Sequence, residues 1–419
     1  MTDAAPDEPG PARGREAGSG RAGLGNTVVV AVGSTGANLL GYVFNAVMSR
    51  ALDLAAFGEL GSLLAVVVVA SVPGTALQAV IARRLTTGDD DHDFRRDTLL
   101  LAGAVGGTVV VLSPLIRAFL DVDSYAPVWW TAALLVPTTV GFGYLGLLQG
   151  AGRFRALGAL LVAIQAARVS GAIVAYATGR GTSTALGVAA VTTTALVIAA
   201  APFVGHRAAP PRARRSELLR DIAADVSPIL GVLVLSNLDL LLARHYLTEH
   251  DSGLYVAGNL LTRGAFWGPA FVVLVTYPRL AVPAQRAAAL RHGVIMLAVI
   301  GAAGLAVSLV AGGLIPVLLG RTDFRAVAGI AWLYTADGLA LVGTQFAVFA
   351  GLAVRDRRLG RLVWLAAAAE TVVVVAFAHG SIEQVITVAV VTGLALVVAA
   401  GAVERRRPHP GAHAPQDVG

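Results

Sequence analysis

The chain predicts an all-α, polytopic integral membrane protein: twelve transmembrane helices in two six-helix lobes around a central cleft. Three observations carry that fold class. Along 419 residues, twelve apolar runs follow one another, each near the roughly 20 residues a helix needs to cross a bilayer. Charged residues are only 14% of the chain, against about a quarter in soluble domains. Finally, all 32 basic residues are Arg, with 24 in one alternate set of gaps between runs, 6 in the other set and 2 inside runs. That asymmetry is the positive-inside pattern, and it sets orientation together with span number.

The elements follow in order. Residues 1–23 are polar, rich in Gly, Pro and Ala, and lack an apolar stretch, so they read as a disordered cytoplasmic tail rather than a signal peptide. The N-terminal lobe, 24–204, holds runs at 24–48, 58–80, 98–120, 126–148, 157–177 and 183–204. A basic linker, 205–225, carries Pro210, Pro211, Arg212, Arg214 and Arg215. The C-terminal lobe, 226–403, holds runs at 226–247, 254–276, 292–317, 329–352, 359–378 and 382–403, before a second tail at 404–419. The Arg-rich gaps include Arg83–Arg84, Arg95–Arg96, Arg153, Arg155 and the linker. The Arg-poor gaps carry Arg50, Arg117, Arg180, Arg244, Arg321 and Arg325. Both termini are therefore expected in the cytoplasm, and the chain in a bacterial plasma (inner) membrane; all-Arg usage with abundant Ala, Val and Gly suits a GC-rich genome.

The two halves look like a repeat. Arg50 precedes Gly58 by eight residues and Arg244 precedes Gly253 by nine. Gly58 to Pro73 is 15 residues, Gly253 to Pro269 is 16, and Gly58 to Arg84 equals Gly253 to Arg279 at 26. Six spans per half make this a parallel repeat with its axis along the membrane normal, an arrangement that puts a cleft between the lobes. Pro73 and Pro269 are expected to bend spans 2 and 8, whereas Pro114 and Pro137 need no more than the ordinary frequency of Pro in membrane helices.

Ionisable side chains deep in a bilayer cost at least about 2.5–3.5 kcal/mol each, so each needs a partner, a wet cavity or a function. Arg168 in span 5 and Arg263 in span 8 lie deep, as do Asp239 in span 7, Asp337 in span 10 and Glu370 in span 11. They either pair internally, as Arg168 with Glu370 or Arg263 with Asp239, or face the cleft. Arg50, Glu59 and Arg244 sit nearer an interface; Arg can snorkel there, and a carboxylate suits the helix N-terminus that Glu59 opens. Asn38, Asn45, Gln78, Gln149, Gln165 and Gln345 hydrogen-bond between helices or line a polar cleft.

Several classes drop out. There is no Cys, hence no disulfide or thiolate chemistry. GxxxxGK[ST] and HExxH are both missing, and no extramembrane segment is large enough to bind ATP or a nucleotide sugar. No enzyme activity, cofactor or metal is expected. A pI near 10.1 points to anionic lipid headgroups rather than nucleic acid, because the Arg residues flank apolar runs.

Certain segments carry a resemblance: GANLLGYVFNAVMSRALDLAAFGELGSLLAV around span 1, LGLLQGAGRFRALG ending span 4, LSNLDLLLARHYLTEHDSGLYVAGNLLTR from span 7 into span 8, and then PAFVVLVTYPRL. With their FG, LQG and SGLY motifs they resemble the oligosaccharide-lipid flippases of the multidrug/oligosaccharidyl-lipid/polysaccharide exporter superfamily, over roughly residues 25–403. The resemblance implies twelve helices in two lobes and a cationic cleft for the diphosphate of a polyprenyl-linked glycan. Matched by position, the substrate-binding candidates are Asn45, Arg50, Arg244 and Arg263, with Asn237 two residues before Asp239. Asp239 and Glu370 are the candidates for ion coupling, since the chain has no ATP site. Implied partners are the lipid-linked glycan, membrane lipids, a polysaccharide polymerase and glycosyltransferases. A cation-coupled multidrug-type exporter on the same fold, and a non-transporting scaffold, are the alternatives. The paucity of basic residues along spans 1 and 2 and the count of twelve spans argue against the lipid II branch.

Overall fold

The computed structural model describes residues 16–87, 94–205, 215–280, 282–311, 319–320, 322–354, 356 and 358–406. Residues 1–15, 206–214 and 407–419, which hold most of the expected tails and linker, lie outside the described residues. So do Arg321, Arg355 and Arg357. Regular structure among the described residues is entirely helical.

In the N-terminal lobe the helices are α1 (Glu16–Ala51), α2 (Leu54–Ala70), α3 (Val72–Thr87), α4 (Phe94–Val111), α5 (Ser113–Phe119), α6 (Tyr125–Gly150), α7 (Phe154–Thr178) and α8 (Thr182–Val204). The C-terminal lobe has α9 (Arg215–Tyr246), α10 (Glu249–Trp267), α11 (Phe271–Leu280), α12 (Pro283–Ala311), α13 (Arg325–Ala328), α14 (Ala331–Leu352), α15 (Arg358–Phe377) and α16 (Ile382–Arg405). Among the described residues, eleven helical segments are long and apolar enough to cross a membrane, and the bent pair α4–α5 makes twelve.

Local chemistry explains the breaks. Span 2 divides into α2 and α3 at Ser71, two residues before Pro73, and span 8 divides into α10 and α11 around Pro269. A proline has no N–H to donate and its ring clashes with the preceding turn, so the ladder stops there. Pro114 proves more consequential than expected, since α4 and α5 meet at a 55° bend beside it, while Pro137 runs inside an unbroken α6. Both broken spans start alike: Asp53 caps α2 by accepting from the amide of Ala56, and Thr248 caps α10 by accepting from that of Asp251. Span 9 begins at Pro283, nine residues before the expected 292, because Ala and Arg in 284–291 favour helix without being apolar.

The packing order of the spans is alike in the two halves. In the first lobe α1 packs on α7, α3 on α6, α4 on α6, α6 on α8 and α7 on α8; in the second, α9 packs on α15, α10 on α14, α12 on α14, α14 on α16 and α15 on α16. The lobes meet chiefly where α2 crosses α9 and α10. Gly58 and Gly253, the glycines matched by spacing, lie at that crossing. A side chain on Gly253 would strike the carbonyl of Leu54, and one on Gly58 would strike Ser252.

Core placement gives the overall shape. At the end bearing the Arg-poor loops, one continuous apolar cluster draws on both lobes, including Met48, Phe57 and Leu60 with Leu254, Tyr255 and Phe324. Toward the Arg-rich end the core separates: one cluster, with Leu77, Ile81 and Leu148, belongs to the first lobe, and two others, around Val232 and Phe346, belong to the second. The molecule is thus a V, fused at the Arg-poor end and parted toward the Arg-rich end.

Candidate functional site

Inside the V lies a cavity of about 210 Å³, walled by α1, α2, α6, α7 and α8 of one lobe and α10 of the other. Its polar lining comprises Asn38, Asn45, Gln165, Arg168 and Arg263, with Tyr42 and Trp267 at its sides and no Asp or Glu among the lining residues. Arg168 donates to the Thr138 hydroxyl at 3.1 Å, and its Nε is buried without a partner. Across the cleft, Arg263 donates through Nε to Asn259 Oδ1 at 3.1 Å. Tyr42 spans the gap from α1, its hydroxyl donating to the carbonyl of Leu260 on α10 at 3.3 Å.

A second feature sits behind Arg263 in the C-terminal lobe. Asp239, Asp337 and Glu370 are buried, at 2%, 3% and 2% exposure, and lie within electrostatic range of one another. Asp239 Oδ2 accepts from the Tyr255 hydroxyl at 2.7 Å. Asp239 Oδ1, Glu370 Oε1, the Tyr334 hydroxyl and Asn259 Nδ2 are buried with no hydrogen-bond partner. The Tyr255 and Tyr334 rings stand edge to face, 5.4 Å apart. Burying so many unpaired polar atoms costs free energy unless a proton, cation or water satisfies them. Among the described residues no three His, Cys, Asp or Glu converge as a metal site.

Only part of the expected site is assembled. The structure brings Asn45 and Arg263 to the cavity, and places Asn237 in a smaller adjoining pocket that shares Arg263 and Trp267. Asn45 and Asn237 also donate along their own helices, to the carbonyls of Gly41 and Leu233. Arg50 and Arg244 lie elsewhere, at the Arg-poor end. Arg244 is 5% exposed and is held by backbone carbonyls. The expected Arg168–Glu370 pair does not form: α7 and α15 belong to different lobes, and equal depth along two helices says nothing of the distance between them. Nor is there a direct ion pair between Arg263 and Asp239, although each feels the other's charge. Gln165, as a polar residue able to line a cleft, and Arg168 and Asp337, as deep charges, are legible in the sequence without being assigned to substrate or ion, whereas nothing in the sequence marks Tyr42, Tyr255 or Tyr334.

No protein-family model matches the chain, and no curated protein sequence does. Solved structures do. An inward-facing structure of a multidrug resistance MATE family transporter of the MOP superfamily superposes with a TM-score of 0.69, covering 89% of this chain and 96% of that one at 15% identity. The fold is that of the MATE transporters. An outward-facing structure of such a transporter gives 0.63 over 92% and 94% at 14% identity. A MOP superfamily transporter from Pyrococcus furiosus, described by a reversed polarity of its binding pocket that suggests a different function, also gives 0.63 over 92% and 94% at 14%. At 14–15% identity these likenesses are likenesses of fold.

Proposed function

We propose that this protein is a cation-coupled exporter of amphipathic molecules that works by alternating access, and not an enzyme. The observation that carries this reading is the buried trio Asp239, Asp337 and Glu370, with unpartnered oxygens on Asp239 and Glu370, set directly behind the cleft residue Arg263. Uncompensated carboxylates in a low-dielectric interior are costly, so proton uptake and release there would change the packing of α9, α10, α14 and α15. A proton suits the trio better than a metal ion, because no three acidic or His side chains among the described residues converge. Fold likeness to multidrug MATE transporters supports the same reading. The Arg distribution supports a cytoplasmic Arg-rich face, with both termini inside and the cleft open inward, in a bacterial plasma membrane.

One observation favours the lipid-linked glycan reading as well: two guanidinium groups and no carboxylate line the cavity. Guanidinium pairs bidentately with phosphate oxygens, so a polyprenyl-diphosphate headgroup carrying an oligosaccharide is the second substrate class. A membrane potential negative inside would help its outward movement by about 2.3 kcal/mol per charge per 100 mV. A polymerase and glycosyltransferases would then be functional partners.

Both are tested in proteoliposomes with an imposed pH gradient and a panel of fluorescent amphiphiles, cationic and phosphorylated. The exporter reading expects accumulation that a protonophore abolishes and that Asp239→Asn lacks. Accumulation indifferent to both would refute the coupling. Movement of phosphorylated amphiphiles alone, lost in Arg168→Gln and Arg263→Gln, would select the second class.

A further inference from the structure

Backbone accounting at the Arg-poor end gives the two mislocated arginines a role. The last carbonyls of a helix have no partner within it and carry the negative end of its dipole, so they must be capped. Span 3 ends at α5, and the three successive carbonyls of Phe119, Leu120 and Asp121 are all capped by two successive residues of the opposite lobe. His245 Nδ1 lies 2.7 Å from the Phe119 oxygen, with its ring stacked on the Phe119 ring at 4.4 Å. Arg244 donates through Nε to the Leu120 oxygen at 2.8 Å and through Nη2 to the Asp121 oxygen at 2.9 Å. Its Nη1 donates to Ser252 Oγ at 3.1 Å and to the Ala55 carbonyl at 3.5 Å. Asp121 has φ 48°, the only left-handed non-Gly residue among those described, and this conformation turns the chain back across the end of α5.

The pseudo-twofold repeats the arrangement. Arg50 occupies in span 1 the place of Arg244 in span 7, and its guanidinium lies against Gly320, which has φ 75°. Next to it, Ser49 Oγ donates to the carbonyl of Leu319 at 3.0 Å. Each lobe therefore ends its first span with a side chain reaching the turn that follows the other lobe's third span. Apart from the Arg244–Ser252 bond, which stays within the C-terminal lobe, these contacts cross between lobes, so they cannot survive separation of the Arg-poor ends.

We propose that Arg244 and His245, capping α5 in trans, form the latch that holds the Arg-poor side of the transporter shut, with Arg50 and Ser49 on Leu319–Gly320 as its pseudo-symmetric second arm. Arg244 on the α5 turn and Ser49 on the Leu319 turn both donate to neutral backbone carbonyls. Water replaces a carbonyl more easily than it replaces a carboxylate partner, and parting the lobes exposes both donor and acceptor to solvent. Such a latch is firm when dry and reversible when wet. Glu59 lies within electrostatic range of Arg244 and adds to it at longer range. The inference rests on the alternating-access reading, but its test requires neither substrate nor ion gradient.

Since the chain has no Cys, a single Asn45→Cys reports on the cavity behind the latch. In right-side-out vesicles, a membrane-impermeant maleimide is applied from the Arg-poor face, in the Asn45→Cys background and with Arg244→Ala, Arg244→Lys or Gly320→Val added. Gly320→Val displaces Arg50 without touching Arg244. The expected result is a labelling rate raised about tenfold or more by Arg244→Ala, which is about 1.4 kcal/mol of lost closure. Arg244→Lys should lie between Arg244→Ala and the parent, because an ammonium cannot span two carbonyls in a fixed fork, and Gly320→Val should raise the rate by less. Unchanged rates in both Arg244→Ala and Gly320→Val would overturn the latch and leave the transport reading intact. Labelling of the same Cys from the Arg-rich side, unchanged across the set, establishes that each variant is folded; if Arg244→Ala fails that control, Gly320→Val and Arg244→Lys decide.

Discussion

Asp239 has one side-chain donor, the Tyr255 hydroxyl on its Oδ2, and that makes a sharp residue-scale prediction. Tyr255→Phe deletes one oxygen from a fully buried side chain and leaves Asp239 Oδ2 without that donor. Stranding a buried acceptor costs about 1–3 kcal/mol, so the detergent-solubilised protein should melt at a lower temperature. The double variant Tyr255→Phe, Asp239→Leu should recover much of that loss, since it removes the orphan with its partner. Differential scanning fluorimetry on both variants checks it; equal melting of Tyr255→Phe and the parent would mean that the bond contributes nothing. At this scale the sequence was only partly informative. Depth along a span is countable, so Arg168, Arg263 and Glu370 are placed near the middle of the membrane and Asp239 and Asp337 in its outer half. Direction around the helix axis and the identity of facing helices were not countable. Of the two readings open for Arg168, pairing with Glu370 fails because that acid lies in the other lobe, and Arg244, assigned to the cleft, does not line it.

Elements were far more legible. A bilayer accepts only segments that satisfy their own backbone and present apolar side chains, so eleven of the twelve observed spans begin within about five residues of the apolar runs. The exception, span 9, starts in Ala- and Arg-rich sequence that is helical without being apolar. Glycine spacing also proved informative, because Gly58 and Gly253 mark the place where α2 and α10 cross. Gly253→Ala sets a new Cβ against the carbonyl of Leu54, and no rotamer change relieves a backbone clash. This variant should unfold several degrees earlier. Gly107→Ala, with nothing near its added Cβ, should be neutral or stabilising by about 0.5–1 kcal/mol through helix propensity. Thermal melts followed by Trp fluorescence compare them, and the reverse order of stability would contradict the close crossing.

At the scale of the whole molecule, the divided core is what makes a conformational cycle plausible in physical terms. Apolar packing is continuous across both lobes only at the Arg-poor end, so tilting the lobes exchanges one sealed end for the other while each lobe keeps its own core. Proton occupancy of Asp239, Asp337 and Glu370 is the proposed bias on that exchange. The most direct measurement uses spin labels in nanodiscs, on Asp123→Cys with His250→Cys across the Arg-poor face and on Arg155→Cys with Arg291→Cys across the Arg-rich face. All four sites are exposed. Pulsed dipolar spectroscopy at acid and alkaline pH should show the two distances changing in opposite directions, and Asp239→Asn combined with Asp337→Asn should freeze both. Distances that stay fixed at every pH, or that move identically in the double Asn variant, would contradict a cycle driven by these carboxylates.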